Sequence, residues 1–222
     1  MMATSTTPDL PNPLPWSVPI LAERASRLVE PAGRRLLGLA GPPGAGKSTL
    51  AAALLDALGP IAARVPLDGF HLANRVLADL GLTDRKGAPE SFDAHGFRVL
   101  LKRLRDDEDD VYAPEFMRDL DEPIAAALRI TRTASLVIVE GNYLLLEEGP
   151  WQGVSELLDE VWYLHVDESA RRRRLVRRHQ SHGRTAAEAR AWTLGNDERN
   201  AELVASTAWR ADQIVEVPSA PE

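Results

Sequence analysis

The chain has 222 residues, 44% of them hydrophobic and 27% charged, enough to bury one sizeable core as a single domain, with or without a small lid. A formal charge of −7 and a pI near 5.3 exclude general attraction to nucleic acid or to an anionic membrane, so a phosphate ligand has to be held by a local device. Cysteine is absent, which excludes disulfides and thiolate metal sites. No apolar run approaches the roughly 20 residues of a membrane span, and the N-terminus reads as free of a signal peptide, so the cytoplasm is the expected compartment.

Residues 1–19 contain Pro8, Pro11, Pro13, Pro15 and Pro19 among Ser and Thr, a composition that predicts a flexible, extended tail ahead of one folded domain over 20–218. From Ile20 to Glu30 the apolar and charged residues recur at helical spacing. Arg35 to Ala40 is a short apolar run ending beside Gly41, as a buried strand would, and a helix is predicted from about Lys47 to Leu58. Further buried strands are predicted at 62–67, 136–139, 161–166 and 213–217, with helical stretches between them. That alternation predicts an α/β fold, a three-layer αβα sandwich around a parallel sheet of about five strands joined by right-handed crossovers. Between 71 and 130 the pattern is less regular: a helix near 72–80, a turn-rich stretch at 83–93, a helix at 94–105 and a solvated acidic turn at 106–110. No internal repeat is visible.

Gly41-Pro42-Pro43-Gly44-Ala45-Gly46-Lys47-Ser48 fits G-x-x-x-x-G-K-[ST] and sits where its mechanism demands, after an apolar strand and opening a helix. Glycines let successive backbone N–H groups converge on a phosphate, and the helix N-terminus adds partial positive charge. Lys47 can reach the β and γ oxygens, the Ser48 hydroxyl can ligate Mg²⁺, and Thr49 can touch the α-phosphate. The expected ligands are therefore ATP and Mg²⁺. Such a loop specifies nucleotide binding but no reaction, because motors, switches, regulators and kinases share it.

Other residues narrow the choice. Asp68 follows the strand at 62–67, at the end of the sheet where α/β proteins gather ligands. A carboxylate there can orient an acceptor hydroxyl and take its proton, a recurring part of phosphoryl transfer, although an Asp-Gly pair also makes an ordinary turn. Glu140 ends the run Leu136-Val-Ile-Val139 and is costly to bury without a partner; it is expected to hold Mg²⁺, directly or through water, or to contact substrate. Arginines at 171, 172, 173, 174, 177 and 178 suggest a lid over about 171–184. Arg174 and Arg178, four apart on one face, are the pair expected at the phosphates; the rest read as solvated. His179 and His182 read as solvated lid residues rather than a zinc site.

The stretch Asp68-Gly-Phe70, Asn74-Arg-Val-Leu77, Gly81-Leu82 and Arg85-Lys-Gly-Ala-Pro-Glu-Ser-Phe-Asp93-Ala-His95, with Glu140-Gly-Asn142, Trp192-x3-Asn196 and Thr207-x2-Arg210-Ala211, resembles the pantothenate kinase (type I), uridine kinase and phosphoribulokinase superfamily of P-loop kinases. It is most similar to the bacterial type I pantothenate kinases, although it is shorter than they are, and it also looks like the short proteins labelled nucleoside or fructose-transport kinases. The resemblance covers most of residues 36–215 and implies that Asp68 is the catalytic base and that Phe92, His95 and Asn196 face the acceptor. From the residues themselves, Arg85, Lys86 and His95 offer hydrogen bonds to a hydroxyl- or carboxylate-bearing metabolite and Phe92 offers a stacking face; His71 stands at the same pocket. Ser91 or Asp93 can also cap the helix that follows.

The resulting expectation is an ATP-dependent kinase acting on a hydroxyl of a small, pantothenate-, nucleoside- or sugar-like metabolite. Two alternatives stand beside it: a nucleoside monophosphate kinase, disfavoured because a phosphate acceptor needs no base at Asp68, and an ATP-binding regulator or assembly factor with slow hydrolysis. Beyond the small acceptor, no nucleic acid or membrane partner is expected, and a homodimer is the assembly considered.

Overall fold

The apolar runs at 35–40 and 136–141 are buried almost throughout, as strands must be when helices cover both faces of a sheet. The computed structural model describes residues 12–29, 33–106 and 109–219. Its strands are β1 (Leu14–Pro15), β2 (Arg35–Ala40), β3 (Ala62–Pro66), β4 (Val111–Met117), β5 (Glu122–Ile130), β6 (Leu136–Gly141), β7 (Glu160–Val166) and β8 (Gln213–Val217). Its helices are α1 (Val18–Ser26), α2 (Lys47–Leu58), α3 (Asn74–Asp79), α4 (Ala94–Arg105), α5 (Glu168–Ser181), α6 (Ala186–Trp192) and α7 (Glu198–Ala205), with a π-helical turn at Thr193–Asp197.

Six strands form one parallel sheet in the order β1-β8-β7-β2-β6-β3. Successive residues of β6 point to opposite faces. Leu136 and Ile138 join Leu50, Ala51 and Leu54 of α2 and Leu21 of α1, whereas Val137 and Val139 join Phe97, Leu101 and Leu104 of α4. The result is the expected three-layer α/β sandwich. The order places β2 between β6 and β7, so the loop after β2 opens beside the carboxyl ends of β6 and, one strand further, β3.

The connection from β6 to β7, expected to be helical, holds only the 3₁₀ turns Gly149–Trp151 and Ser155–Leu157, and two further features depart from the sequence expectation. The tail read over 1–19 does not run free through its described part, residues 12–19. Leu14 and Pro15 add a sixth, edge strand against Val215 and Glu216, and the Gln213 side chain donates to the Asn12 carbonyl at 2.7 Å. An edge tolerates proline because no further strand needs its missing N–H. Pro19 falls in the first turn of α1, where its fixed φ suits a helix start; residues 1–11 lie outside the described residues.

The last departure is the antiparallel hairpin β4–β5, which no sequence pattern announced. Pro114 sits at a register shift between Ala113 and Glu115, and β5 contains Ala125-Ala-Ala127, with Ala126 at φ 55°. Proline and alanine runs both argue against strands, so local propensity is overruled here by tertiary packing. By contrast α2, α4 and β8 occupy the expected residues. Asp93 caps α4, accepting from the Gly96 N–H at 2.8 Å.

Candidate active site

Gly41, Gly44 and Gly46 adopt φ of 149°, 81° and 97°, values other residues reach only with strain. Gly44 has a second reason to be glycine: a Cβ there would stand 2.9 Å from Leu175 Cγ and 3.2 Å from the Arg171 carbonyl, so α5 packs directly on the loop. Lys47 is 9% exposed and folds back into the loop, donating to Gly41 O (2.8 Å), Pro42 O (3.1 Å) and Asn142 Oδ1 (2.7 Å). Burial holds its ammonium down to about 8; the charges of Glu140 and Asp68 pull it back up, and Arg178 lowers it further. The Ser48 hydroxyl donates to Glu140 Oε2 at 3.0 Å. Burial, and next the Asp68 charge, push the Glu140 carboxyl above its usual range against the pull of Lys47, Ser48 and Arg64.

On the far side of the cleft β3 runs into a 3₁₀ turn, Leu67–Phe70, that carries Asp68 half-exposed and 3.9 Å from Arg118 Nη2 at the hairpin. Gly69 is required by proximity and not by turn conformation. A Cβ on it would run into the Pro114 carbonyl, 2.7 Å from the carbon and 3.1 Å from the Glu115 nitrogen. Gly69→Ala is therefore expected to displace the hairpin and destabilise the chain by about 1–3 kcal/mol, the usual range for overpacking. A lowered thermal midpoint checks this, and an unchanged midpoint would refute the close approach.

The His71 ring lies 4.0 Å from Phe92 and 5.0 Å from Phe116, centroid to centroid. Its Nδ1 is 2.8 Å from the Asp68 carbonyl, which only accepts, so Nδ1 carries the hydrogen and Nε2 presents a lone pair when the ring is neutral. Burial lowers the ring's pKa, which favours that neutral form at pH 7. Lys86 reaches Asn74 Oδ1 (2.6 Å) and Asp121 Oδ2 (2.7 Å) and lies 5.1 Å above the Phe116 ring.

The arginines of α5 divide by role. Arg171 and Arg172 both bind Glu198, Arg172 first and then Arg171 holding that carboxyl down to about 2, which fastens α5 to α7. Arg174 lines the cleft, but its Nη2 donates to the Pro218 carbonyl at 2.6 Å. Arg178 lies in the open cleft, crowded by protein and facing the like charge of Arg118, both of which lower its pKa; its guanidinium makes no hydrogen bond to another described residue. His179, expected to be solvated, is instead paired with Asp197 at 2.7 Å, while His182 turns to the Arg178 carbonyl. Among the described residues no group of three or more His, Asp or Glu side chains stands at metal-holding spacing.

One cleft of about 1200 Å³ brings together Pro43, Gly44, Gly46, Lys47, Ser48 and Thr49 with Asp68, His71, Phe92, Glu140, Arg174 and Arg178. That exceeds what one drug-sized ligand occupies and leaves room for a nucleotide with a small acceptor. Gly41, Pro42 and Ala45 are buried beneath the loop surface. Three expected acceptor residues are placed elsewhere. Arg85 is exposed and tied to Glu90 at 2.6 Å, because the turn that carries it presents Lys86 to the cleft instead. His95 is exposed on the first turn of α4, away from the cleft lining. Asn196 is buried in the π-helical turn and donates to the Lys86 carbonyl at 2.9 Å, holding the wall and leaving its neighbours Asp197 and Asn200 to line the cleft. Sequence reasoning missed Asn142, Phe116, Arg118 and Asp121. Asn142 had a signal in the Glu140-Gly-Asn run, whereas the other three ride on the unforeseen hairpin.

A glycine-shaped loop between a central parallel strand and the helix it opens, with its lysine buried among loop carbonyls, defines a P-loop nucleotide-binding α/β protein. Residues 36–220 match the model of the Phosphoribulokinase / Uridine kinase family, and the chain belongs to that family of P-loop kinases. This agrees with the resemblance carried by Asp68–Phe70 and Arg85–His95. The chain is 35% identical over 198 residues to "Uncharacterized protein YggC" of Escherichia coli strain K12, covering 87% of this chain and 82% of that protein. It is 35% identical over 181 residues to "Putative uridine kinase C227.14" of Schizosaccharomyces pombe, covering 77% of each. A crystal structure described as a "putative fructose transport system kinase" from Silicibacter sp. TM1040 superposes with a TM-score of 0.81 at 38% identity, over 91% of this chain and 99% of that one.

Proposed function

We propose that the protein is an ATP-dependent kinase that transfers the γ-phosphoryl group to a hydroxyl of a small pantothenate-, nucleoside- or sugar-like metabolite. The observation that carries this reading is Asp68: a half-exposed carboxylate at the end of β3 that shares one cleft, and interacts electrostatically, with Lys47, Glu140 and Arg178. Nucleotide binding alone has no use for an acid on that side. A hydroxyl acceptor does, because its proton must go to a base as the phosphoryl group arrives.

Ser48 and Glu140 offer two hard oxygen donors 3.0 Å apart, a fit for Mg²⁺, which typically takes one or two protein ligands and fills the rest with phosphate and water. Ser48 and Glu140 would hold the ion, which would supply positive charge to offset the negative charge that develops during phosphoryl transfer. Lys47 gives up its loop carbonyls for phosphate oxygens, and Arg178 supplies free donors to the transferred group, the segment 171–184 acting as the lid that excludes water. Arg174, already committed to Pro218, serves the rim. His71 Nε2 and the rings of Phe92 and Phe116 form the acceptor wall.

Lys47 also sets a pH dependence. Because its ammonium loses the proton near pH 8, a neutral amine meets the phosphates above that pH, and metal-free ATP affinity is expected to fall by up to tenfold per pH unit. Nucleotide titration at pH 7, 8 and 9 measures it. Lys47→Arg should flatten the profile, since a guanidinium stays charged; an equally steep fall in that variant would refute the assignment. The sign for folding is opposite: the unfolded lysine holds its proton up to about 10.5, so the ligand-free chain gains stability from this group as pH rises from about 8 to 10.5.

ADP release over pantothenate, nucleosides, fructose, other sugars and glycerate tests the reading. Stimulation by one acceptor class is the expected result, and no stimulation by any alcohol would favour a slow ATPase or regulator.

A further inference from the structure

The hairpin is tied to the nucleotide end of the cleft by one side chain outside the described chemistry. Arg64 stands on β3, the sheet edge, opposite Ile138 of β6. Its Nη2 donates to Glu115 Oε1 of β4 at 3.3 Å, and its Nη1 lies 3.9 Å from Glu140 Oε1. The other Glu140 oxygen is the one that accepts from Ser48 at 3.0 Å. Ser48, Glu140, Arg64 and Glu115 thus form an unbroken polar chain from the phosphate loop to the hairpin.

The hairpin end of that chain is placed to matter. Glu115 sits at the register shift that Pro114 imposes on β4, and such bulges re-aim side chains at the rims of sites. The next residue, Phe116, is one wall around His71, and Arg118 reaches Asp68. Resting on the reading of Ser48 and Glu140 as the metal–nucleotide end, we propose that Arg64 is a positioning residue that couples nucleotide binding to the acceptor side by sharing its guanidinium between Glu140 and Glu115. A cation arriving at Ser48 and Glu140 competes for the Glu140 charge and repels Arg64. The guanidinium then shifts its bonding to Glu115 and fastens the hairpin against the cleft. Coupling of this kind is reciprocal, so whatever closes the hairpin tightens nucleotide binding by the same factor.

Hydrogen exchange with Mg·ADP as the probe tests this without knowing the acceptor. In the native chain Mg·ADP is expected to slow exchange of the loop amides at 41–50 and also those of the hairpin at 111–130 by about fivefold or more, the low end of ordinary coupling. In Arg64→Met the loop protection should persist while the hairpin response disappears, and Arg64→Lys should restore part of it. Glu115→Ala cuts the hairpin arm without touching Glu140 and should reproduce the loss, which covers the case of an Arg64 variant that fails to fold. Loop protection with an equal hairpin response in the native chain, Arg64→Met and Glu115→Ala overturns the coupling alone. No loop protection in the native chain overturns the nucleotide reading and the coupling with it.

Discussion

Asp68→Asn is expected to leave ATP binding nearly intact and to lower acceptor-dependent turnover by roughly 10²–10⁴, the range for losing a positioned general base. The substitution keeps shape and hydrogen-bonding capacity in the turn Leu67–Phe70, and the loop contacts of Lys47 do not involve this side chain. What it removes is the negative charge that accepts the proton. That charge also supports the ammonium of Lys47 and opposes ionisation of Glu140, so the variant should show Lys47 losing its proton at a lower pH. Turnover equal to that of the native chain would take the base role away from Asp68. Steady-state rates beside a nucleotide-binding isotherm separate the two outcomes.

Lys47→Ala is expected to damage both binding and transfer, with kcat/KM down by at least about 10², as for other preorganised donors that meet developing charge. It also strips partners from Gly41 O, Pro42 O and Asn142 Oδ1 in a buried loop, and unsatisfied groups of that kind cost about 1–3 kcal/mol each when water cannot reach them. A thermal melt of the variant is therefore needed alongside the kinetics. A folded variant with native kinetics would contradict the loop assignment, whereas a folded variant with both constants impaired supports it.

The central layers were legible in the sequence because burial on both faces leaves uninterrupted apolar runs, and the loop because its glycines, Lys47 and Ser48 each answer one need of a phosphate. Arg174 and Arg178 were legible as a helical pair, and Asp93 as a cap. The hairpin was not: Pro114 and Ala125-Ala-Ala127 carry no strand signal, and the close approach of the Pro114 carbonyl to Gly69 is a tertiary contact that no local pattern announces. Arg118 and Phe116 stayed hidden with it. The family resemblance placed His95 and Asn196 at the acceptor and the polarity of the residues themselves suggested Arg85, but neither says which way each side chain of a turn points. In the fold Lys86 takes the place expected of Arg85, and Asn196 supports the wall from behind. His179 looked solvated because its partner, Asp197, lies 18 residues away on a different element.

Product analysis tests the central claim most directly: once the acceptor screen has found a stimulating alcohol, phosphorus NMR of the reaction follows where the γ-phosphoryl group goes. The account requires a new phosphomonoester that appears in step with ADP, with both suppressed together in Asp68→Asn. ADP accompanied only by inorganic phosphate, at a rate indifferent to the alcohol and to Asp68, would contradict it.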